Sequence, residues 1–221
     1  MLRVTLTGMP DRSTLHQVPY YSQWESPDLV PEFIADTRSV RDDPLWQKSG
    51  AADPDEYAFW ADRTCGITCL RMALDYFGEQ VPPVMPLVTD LCEAKAYVHD
   101  GDTVAGLIYR PFAAYVTRRW PAITATVHTD LAETQIADAL HAGSLVVISV
   151  HKTIRTLAPH PISRGGHLVL AVGADKTALR INNPSGLPGH SQRAHRVPWA
   201  DLPRFYARRG IVLSHTEEPV R

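Results

Sequence analysis

The sequence lacks the features that mark several large classes of protein. Cysteine is scarce, since the 221 residues include only Cys65, Cys69 and Cys92, and an odd number this small excludes a disulfide scaffold. The longest apolar stretches, such as 145–150, are far too short to span a bilayer. Residues 1–10 lack the basic and apolar regions of a signal peptide. These absences predict a reducing, cytoplasmic setting.

The sequence also lacks a dominant sign of charge. It has 22 Lys and Arg against 24 Asp and Glu, a net charge of -2, which excludes the strongly basic balance of a nucleic-acid-binding protein. There is no G-x-x-x-x-G-K-[ST] phosphate loop and no G-x-S-x-G elbow of a serine hydrolase. Zinc binding by Cys65 and Cys69 would need two further ligands at paired spacing, which do not occur. We therefore expect no metal, no cofactor, and no nucleic-acid or membrane partner.

Helical patterns precede strand patterns along the chain. The clearest helix begins near Gly66 and ends at Gly78, because apolar residues recur between them at helical spacing and glycine suits a C-terminal cap. Further helices are predicted over 87–97, 105–120, 131–141 and 198–207, and strands over 123–127, 145–150, 167–173, 178–181 and 211–213. This order indicates an α+β fold of two lobes rather than alternating βαβ units.

Residues 24–64 differ in composition from the rest of the chain. They hold ten acidic and four basic side chains, a local charge of -6. Aromatic residues punctuate the segment at Trp46, Tyr57, Phe59 and Trp60. A disordered acidic stretch has few aromatics, so we expect this segment to fold over the surface.

Cys65 is a candidate nucleophile because it stands at the start of the best predicted helix. Unpaired N–H groups and the helix dipole favour a thiolate there and lower the pKa of the thiol. Gly66 removes a side chain beside it, which would let a substrate carbonyl approach. The alternative is a small buried apolar residue, and this is the interpretation we favour for Cys69 and Cys92.

A nucleophilic thiol needs a base, and the base needs an orienting partner. Of ten histidines, His167 differs from the others because it opens a predicted strand directly after Gly165-Gly166. An antiparallel hairpin across 173–177 would bring Asn183 back beside it. The amide oxygen of Asn183 would then hold the imidazole tautomer. Equally, Asn183-Pro184 is compatible with a plain turn.

Four pieces of sequence together resemble a known family. They are VPYYSQ at 18–23, CG at 65–66 opening a helix, GGHLVL at 165–170 and INNP at 181–184. In this order they resemble the C39-like group of bacterial papain-fold cysteine peptidases. The resemblance implies one domain over 1–221 with a papain-like fold, in which a helical lobe carrying the nucleophile faces an antiparallel β-sheet lobe.

The resemblance also implies a role for each matching residue. Cys65 looks like the nucleophile, His167 like the general base and Asn183 like the orienting residue, although this group often has aspartate before that proline. Gln23 resembles the glutamine that forms the oxyanion hole with the Cys65 backbone N–H. Gln47 is the fallback donor.

The spacing of Gln23 and Cys65 departs from the papain pattern. They are 42 positions apart, whereas in papain-like enzymes only a few residues separate them. The acidic segment 24–64 would therefore be an insertion that leaves and returns to the rim of the cleft. Its charge would attract cationic substrates and repel acidic ones. Trp199 resembles the aromatic residue that shields the histidine–asparagine pair, with plain packing as the alternative.

The resemblance implies a thiol-dependent hydrolase, a peptidase or amidase, that forms an acyl-enzyme at Cys65 on a peptide, amide or thioester substrate. Two alternatives remain open. An acyltransferase or cyclase would pass the same acyl group to an amine or carbon nucleophile, with a carrier protein or peptide as partner. An inactive binding module would keep the fold without turnover, but the presence of both Cys65 and His167 disfavours it.

Overall fold

Helices dominate the first half of the chain. The computed structural model describes residues 12–100 and 103–216. The prediction that no signal peptide is present concerns residues 1–10, which lie outside the described residues. The elements up to residue 120 are β1 (Thr14–Leu15), α1 (Val30–Ile34), α2 (Pro54–Ala61), α3 (Cys65–Tyr76), α4 (Val84–Glu93), β2 (His99–Asp100), β3 (Thr103–Val104) and α5 (Tyr109–Arg119).

Strands dominate the second half. The elements are β4 (Ile123–His128), α6 (Glu133–His141), β5 (Leu145–Val150), β6 (His167–Ala174), β7 (Ala178–Asn182), β8 (His195–Pro198), α7 (Leu202–Phe205) and β9 (Tyr206–His215). Within the described residues, seven strands form one sheet in the order β4-β9-β5-β6-β7-β8, with β1 paired to β6. Every pair in it is antiparallel. The expected mixture of helices and antiparallel strands is confirmed.

The sheet is covered by helices on both faces. All residues of β5 and β6 are buried, and successive side chains of a strand point to opposite faces. On one face Leu168 and Leu170 of β6 join the apolar core that contains Ile67 and Leu70 of α3. On the other face Val169 and its neighbours join a core with α6 and α7. The helix that begins at Cys65 is therefore fixed against the strand that begins at His167.

Several element boundaries differ from those expected. Pro111 falls in the first turn of α5, which begins at Tyr109 and not near 105, because proline is accommodated in a first turn and not in a helix interior. The helix expected over 198–207 is present but shorter, over Leu202–Phe205. There, β8 ends at Pro198, α7 is a four-residue helix, and Tyr206 already opens β9, which pairs with both β4 and β5.

The segment 24–64 has a small core of its own. Trp24, Val30, Phe33, Tyr57 and Ala61 pack together in it. The buried carboxylate of Asp43 accepts hydrogen bonds from the Ser26 hydroxyl and the Tyr57 hydroxyl, both at 2.5 Å. An apolar cluster around a hydrogen-bonded carboxylate explains why this segment is folded in spite of its charge.

Of the helices within 12–100 and 103–216, none is long and apolar enough to cross a membrane.

Candidate active site

Cys65 is the first residue of α3. Its predecessor Thr64 does not cap the helix, since the Thr64 hydroxyl donates to the carbonyl of Ala61 at 3.2 Å. The thiol is half-buried, and the backbone N–H of Leu168 lies close enough to favour the thiolate form. Because Leu168 directly follows His167, this proximity places the thiol at the beginning of β6.

The expected lowering of the Cys65 pKa is wrong. Burial raises the pKa of the thiol, and this outweighs the opposite effect of the backbone N–H groups of Leu168, Gly66 and Cys65 itself. The expected open space beside Gly66 is also absent. A methyl group there would lie 2.7 Å from Leu107 Cδ2 and 3.0 Å from Leu168 Cδ1. Glycine at this position allows Leu107 to pack closely over the start of the helix.

His167 and Asn183 are brought together by the β6–β7 hairpin. The strands pair with Leu170 opposite Asn182, and His167 Nε2 lies 2.9 Å from Asn183 Oδ1. Both side chains are buried. An amide oxygen only accepts, so Nε2 carries the proton and donates it, which leaves Nδ1 unprotonated in the neutral ring.

The pKa of His167 is lowered to about 4, chiefly because burial disfavours the charged imidazolium. The hydrogen bond with Asn183 acts in the opposite direction, while the neighbouring cations Arg155 and Lys152 lower the pKa further. With the Cys65 pKa raised, the pair rests at neutral pH as a thiol and a neutral imidazole.

Sequence reasoning missed two residues beside the imidazole. Ser185 Oγ lies 3.1 Å from His167 Nε2, and Arg155 Nη2 donates to this same oxygen at 2.9 Å. Ser185 follows Asn183 by two positions, so its place on the turn was a usable signal. Arg155 lies in the connection between β5 and β6, and nothing in the sequence links it to residue 185.

Gln23 lies next to the Asn183–Pro184 turn. Its backbone N–H donates to the carbonyl of Pro184 at 2.9 Å, and the hydroxyl of Tyr20 donates to the carbonyl of Asn183 at 3.0 Å. The Gln23 side chain is buried, and its Oε1 has no partner among the described residues. By contrast, Gln47 is exposed and lies outside the walls of the cleft.

Two adjoining cavities form a cleft around His167. Gln23, Trp24, Phe33 and Ser185 are among the residues lining the first, of about 480 Å³. Cys65, Leu107, Tyr109 and Leu168 are among those lining the second, of about 250 Å³. Asp62, Gly166 and His167 line both. Gln23 and Cys65 therefore face neighbouring cavities that meet at His167.

Of the acidic side chains of segment 24–64, only one lines the cleft. Segment 24–64 lines the first cavity with Trp24, Phe33, Ile34 and Asp62, of which only Asp62 is charged. Other carboxylates of the segment are engaged elsewhere. Glu32 pairs with Arg38 at 2.7 Å, Asp55 pairs with Arg41 at 2.8 Å, and Asp53 caps α2. Partial burial in the cleft wall also raises the pKa of Asp62.

Trp199 does not shield the histidine–asparagine pair. Its Nε1 donates to the carbonyl of Asp175 at 2.8 Å, and Asp175 follows the end of β6 opposite to His167. Trp199 packs with the core formed by α6 and α7, which is the packing alternative. Across 12–100 and 103–216, no group of three His, Cys, Asp or Glu side chains is placed to hold a metal ion.

Comparison with known proteins gives one family and two solved structures. A sequence model of the Peptidase_C39 like family matches residues 15–210. The crystal structure of a candidate C39-like peptidase from Bacillus anthracis is similar, with a TM-score of 0.58 and 16% identity over 94% of this chain and 100% of that one. No curated protein gives a significant match.

The second solved structure is a weaker match. It is a double glycine motif protease from an AMS/PCAT transporter, in complex with the leader peptide. The TM-score is 0.42 and the identity 14%, over 69% of this chain and 84% of that one.

Proposed function

Because this chain belongs to the Peptidase_C39 like family, we propose that it is a cysteine peptidase or amidase with Cys65 as nucleophile and His167–Asn183 as its base and orienting residue. The observation that carries the proposal is the buried 2.9 Å contact between His167 Nε2 and Asn183 Oδ1. In this proposal the other ring nitrogen, Nδ1, is the base, which is supported by the fact that His167 and Cys65 line the same cavity.

In the proposed reaction the resting pair is neutral. His167 Nδ1 takes the thiol proton as Cys65 Sγ attacks the substrate carbonyl. The Sγ–C bond forms, and the carbonyl oxygen becomes an oxyanion. The backbone N–H of Cys65 and the side-chain amide of Gln23 are the donors that would hold it. The tetrahedral species then expels the amine, which takes the proton from His167.

The second half of the reaction returns the enzyme to its start. Water attacks the thioester carbonyl and gives a proton to His167 Nδ1. The S–C bond breaks, the acid leaves and Cys65 regains its proton. Throughout, Asn183 Oδ1 accepts from Nε2, so the imidazole keeps one orientation whether it is neutral or protonated.

The proposal includes a papain-like arrangement within a single domain. The helical half presents Cys65 at the start of α3, and the sheet half presents His167 at the start of β6. Segment 24–64 is proposed as an insertion at the rim, since Trp24 and Phe33 line the cavity that contains Gln23. The proposed substrate class is a peptide, amide or thioester.

Mass spectrometry of the intact protein tests this function. Incubation with short peptide thioesters should add one acyl group to Cys65, and Cys65→Ser should abolish the adduct. Cys69→Ser is the matched control, because Cys69 is fully buried one turn further along α3. Loss of the adduct to water supports a hydrolase, whereas loss only on addition of an amine supports an acyltransferase. No acylation by any thioester would contradict both.

A further inference from the structure

The cleft around His167 is positively charged although the whole chain has a net charge of -2. Among the described residues that line the two cavities, the cations are Arg63, Lys152, Arg155 and Arg209, and the only carboxylate is that of Asp62. Within 12–100 and 103–216, no carboxylate oxygen lies within 4.0 Å of any of these four cations. Asp62 partly offsets the charges of Arg63 and Lys152, whereas those of Arg155 and Arg209 are left without a nearby carboxylate in the described part of the chain.

The cavity that contains Cys65 combines apolar walls with one guanidinium. Leu107 and Leu168 supply apolar surface. Arg209 enters from β9. A Cβ atom added to Gly165 would lie 3.4 Å from Arg209 Nη2 and 3.0 Å from Ser149 Oγ, so both polar groups lie beside Gly165. The Tyr109 hydroxyl lies beside both Arg209 and Ser149, and Arg209 has no carboxylate partner among the described residues. A slot with apolar sides, hydroxyls and a guanidinium free of a carboxylate suits a side chain with a short aliphatic part and a carboxylate end.

The cavity that contains Gln23 is lined by two cations from the connection between β5 and β6, Lys152 and Arg155. Lys152 is exposed, and its ammonium group has no hydrogen-bond partner among the described residues. Arg155 is held in place, since its Nε donates to the carbonyl of Lys152 at 3.0 Å and its Nη2 donates to Ser185 Oγ at 2.9 Å. Both contacts are to neutral oxygens, so the guanidinium charge is not compensated.

We propose that this cleft selects substrates that carry carboxylates close to the reacting carbonyl, such as acidic peptides. This inference rests on the proposed function and reverses the substrate charge that the composition of segment 24–64 favours. Cations on both sides of His167 raise the local concentration of anions, and this attraction becomes stronger as the ionic strength falls. The cavity at Cys65 takes an acidic side chain at Arg209, and the cavity at Gln23 takes one at Lys152.

The electrostatic potential around the Cys65 thiol is probed first with alkylating reagents, which require no turnover of a substrate. Iodoacetate and iodoacetamide react alike, since the sulfur displaces iodide and an S–C bond forms, but only iodoacetate is an anion. Relative to free cysteine at the same thiolate fraction, Cys65 should favour iodoacetate by about three- to tenfold at low salt. This preference should fall as sodium chloride is added.

Matched variants then test whether the preference for iodoacetate comes from the cations of the cleft. Lys152→Gln combined with Arg209→Gln should reduce the iodoacetate preference several-fold. Lys48→Gln combined with Arg118→Gln removes the same two residue types from exposed positions outside both cavities and should leave the preference unchanged. An equal loss in both double variants would mean that net charge, and not the cleft, is responsible, and would overturn the proposal.

Substrate preference is measured with N-acetyl-Glu-Gly, N-acetyl-Gln-Gly and N-acetyl-Lys-Gly thioesters. The rate of Cys65 acylation should fall in that order, and the ratio of the Glu to the Lys probe should shrink in the Lys152→Gln, Arg209→Gln variant. Single variants show which side binds the carboxylate. Acylation at equal rates by all three probes overturns the charge selection but leaves the hydrolase proposal standing. No acylation, with normal alkylation of Cys65, overturns the hydrolase proposal and with it the substrate class.

Discussion

Asn183 holds His167 through a neutral amide, so the orientation of the imidazole depends on hydrogen-bond geometry and not on a full negative charge. Asn183 Oδ1 lies 2.9 Å from His167 Nε2 and also accepts from the backbone N–H of Ser185 at 3.1 Å. A carboxylate at this position would favour the imidazolium more strongly. With asparagine, burial is the dominant influence, and the pKa of His167 falls to about 4.

At the residue scale, His167 and Asn183 should differ in how much they contribute to acylation. His167→Ala removes the base, and the single-turnover rate of Cys65 acylation should fall by about 10²–10⁴-fold. Asn183→Ala should cost less, because the base remains and only its orientation is lost. Circular dichroism checks that both variants are folded. If Asn183→Ala were as damaging as His167→Ala in a folded protein, the assigned division of roles would be contradicted.

A second prediction at this scale concerns pH. The base must be neutral, so activity should be present above the pKa of His167, about 4, and be lost as pH falls below it. Arg155 lowers the pKa of His167 by its charge. Arg155→Met should therefore raise that pKa and move the acid limb of the kcat/KM profile to higher pH.

Two controls separate charge from contact in this profile. Ser185→Ala removes the 3.1 Å contact with His167 Nε2 but keeps the charge of Arg155, so kcat should fall while the acid limb stays in place. Arg118→Met removes an exposed charge outside the cleft and should change neither. An acid limb that stays in place in Arg155→Met would refute the electrostatic role of Arg155.

At the scale of elements, sequence reasoning was most successful where one element carries its own pattern. α3 was predicted because its apolar positions repeat at helical spacing, and β5 because its residues are apolar throughout. Of β9, only residues 211–213 were predicted. Its first residues, Tyr206-Ala207-Arg208-Arg209, have no strand pattern, and they are part of a strand because β4 and β5 pair with the two edges of β9.

The residues of the site likewise divide into those that local sequence pattern identifies and those that it does not. Cys65 and His167 stand at the start of elements that the sequence identifies, and Asn183 stands where a predicted strand ends. Arg155 contacts Ser185 across 30 positions of chain, and Arg209 reaches the cleft from the first part of β9, which local pattern does not predict. Sequence reasoning therefore did not find the cations that line the cleft, because the net charge of a segment does not say which way its side chains face.

One element-scale prediction concerns the carboxylate inside segment 24–64. Asp43→Ala leaves the buried Ser26 and Tyr57 hydroxyls without their acceptor, which should lower the free energy of unfolding by about 1–3 kcal/mol. Amide exchange should rise mainly within residues 24–64. The neighbouring Asp42 is exposed, so Asp42→Ala is the matched control and should change neither quantity. Equal effects of the two substitutions would contradict the structural role of Asp43.

At the scale of the whole molecule, segment 24–64 and the cationic wall (Lys152, Arg155 and Arg209) contribute to the cleft in different ways. The segment supplies apolar surface at Phe33 and Ile34, and of its carboxylates only that of Asp62 lines the cleft. The cations come from elements outside residues 26–58, so charge selection and apolar contact can be separated by one deletion. The sheet does not depend on this segment for strand pairing, since every strand pair in the sheet lies outside it.

Replacing residues 26–58 by a short Gly/Ser linker should therefore keep the sheet and the His167–Asn183 pair. Loss of the apolar wall at Phe33 and Ile34 should raise KM for peptides that extend into the cavity containing Gln23, with little change for the smallest thioesters. Because Lys152, Arg155 and Arg209 remain, the preference for anionic probes and its dependence on salt should persist. If the deletion abolished the salt dependence in a folded protein, the charge selection would belong to the segment after all, and the assignment of the cationic wall would have to be abandoned.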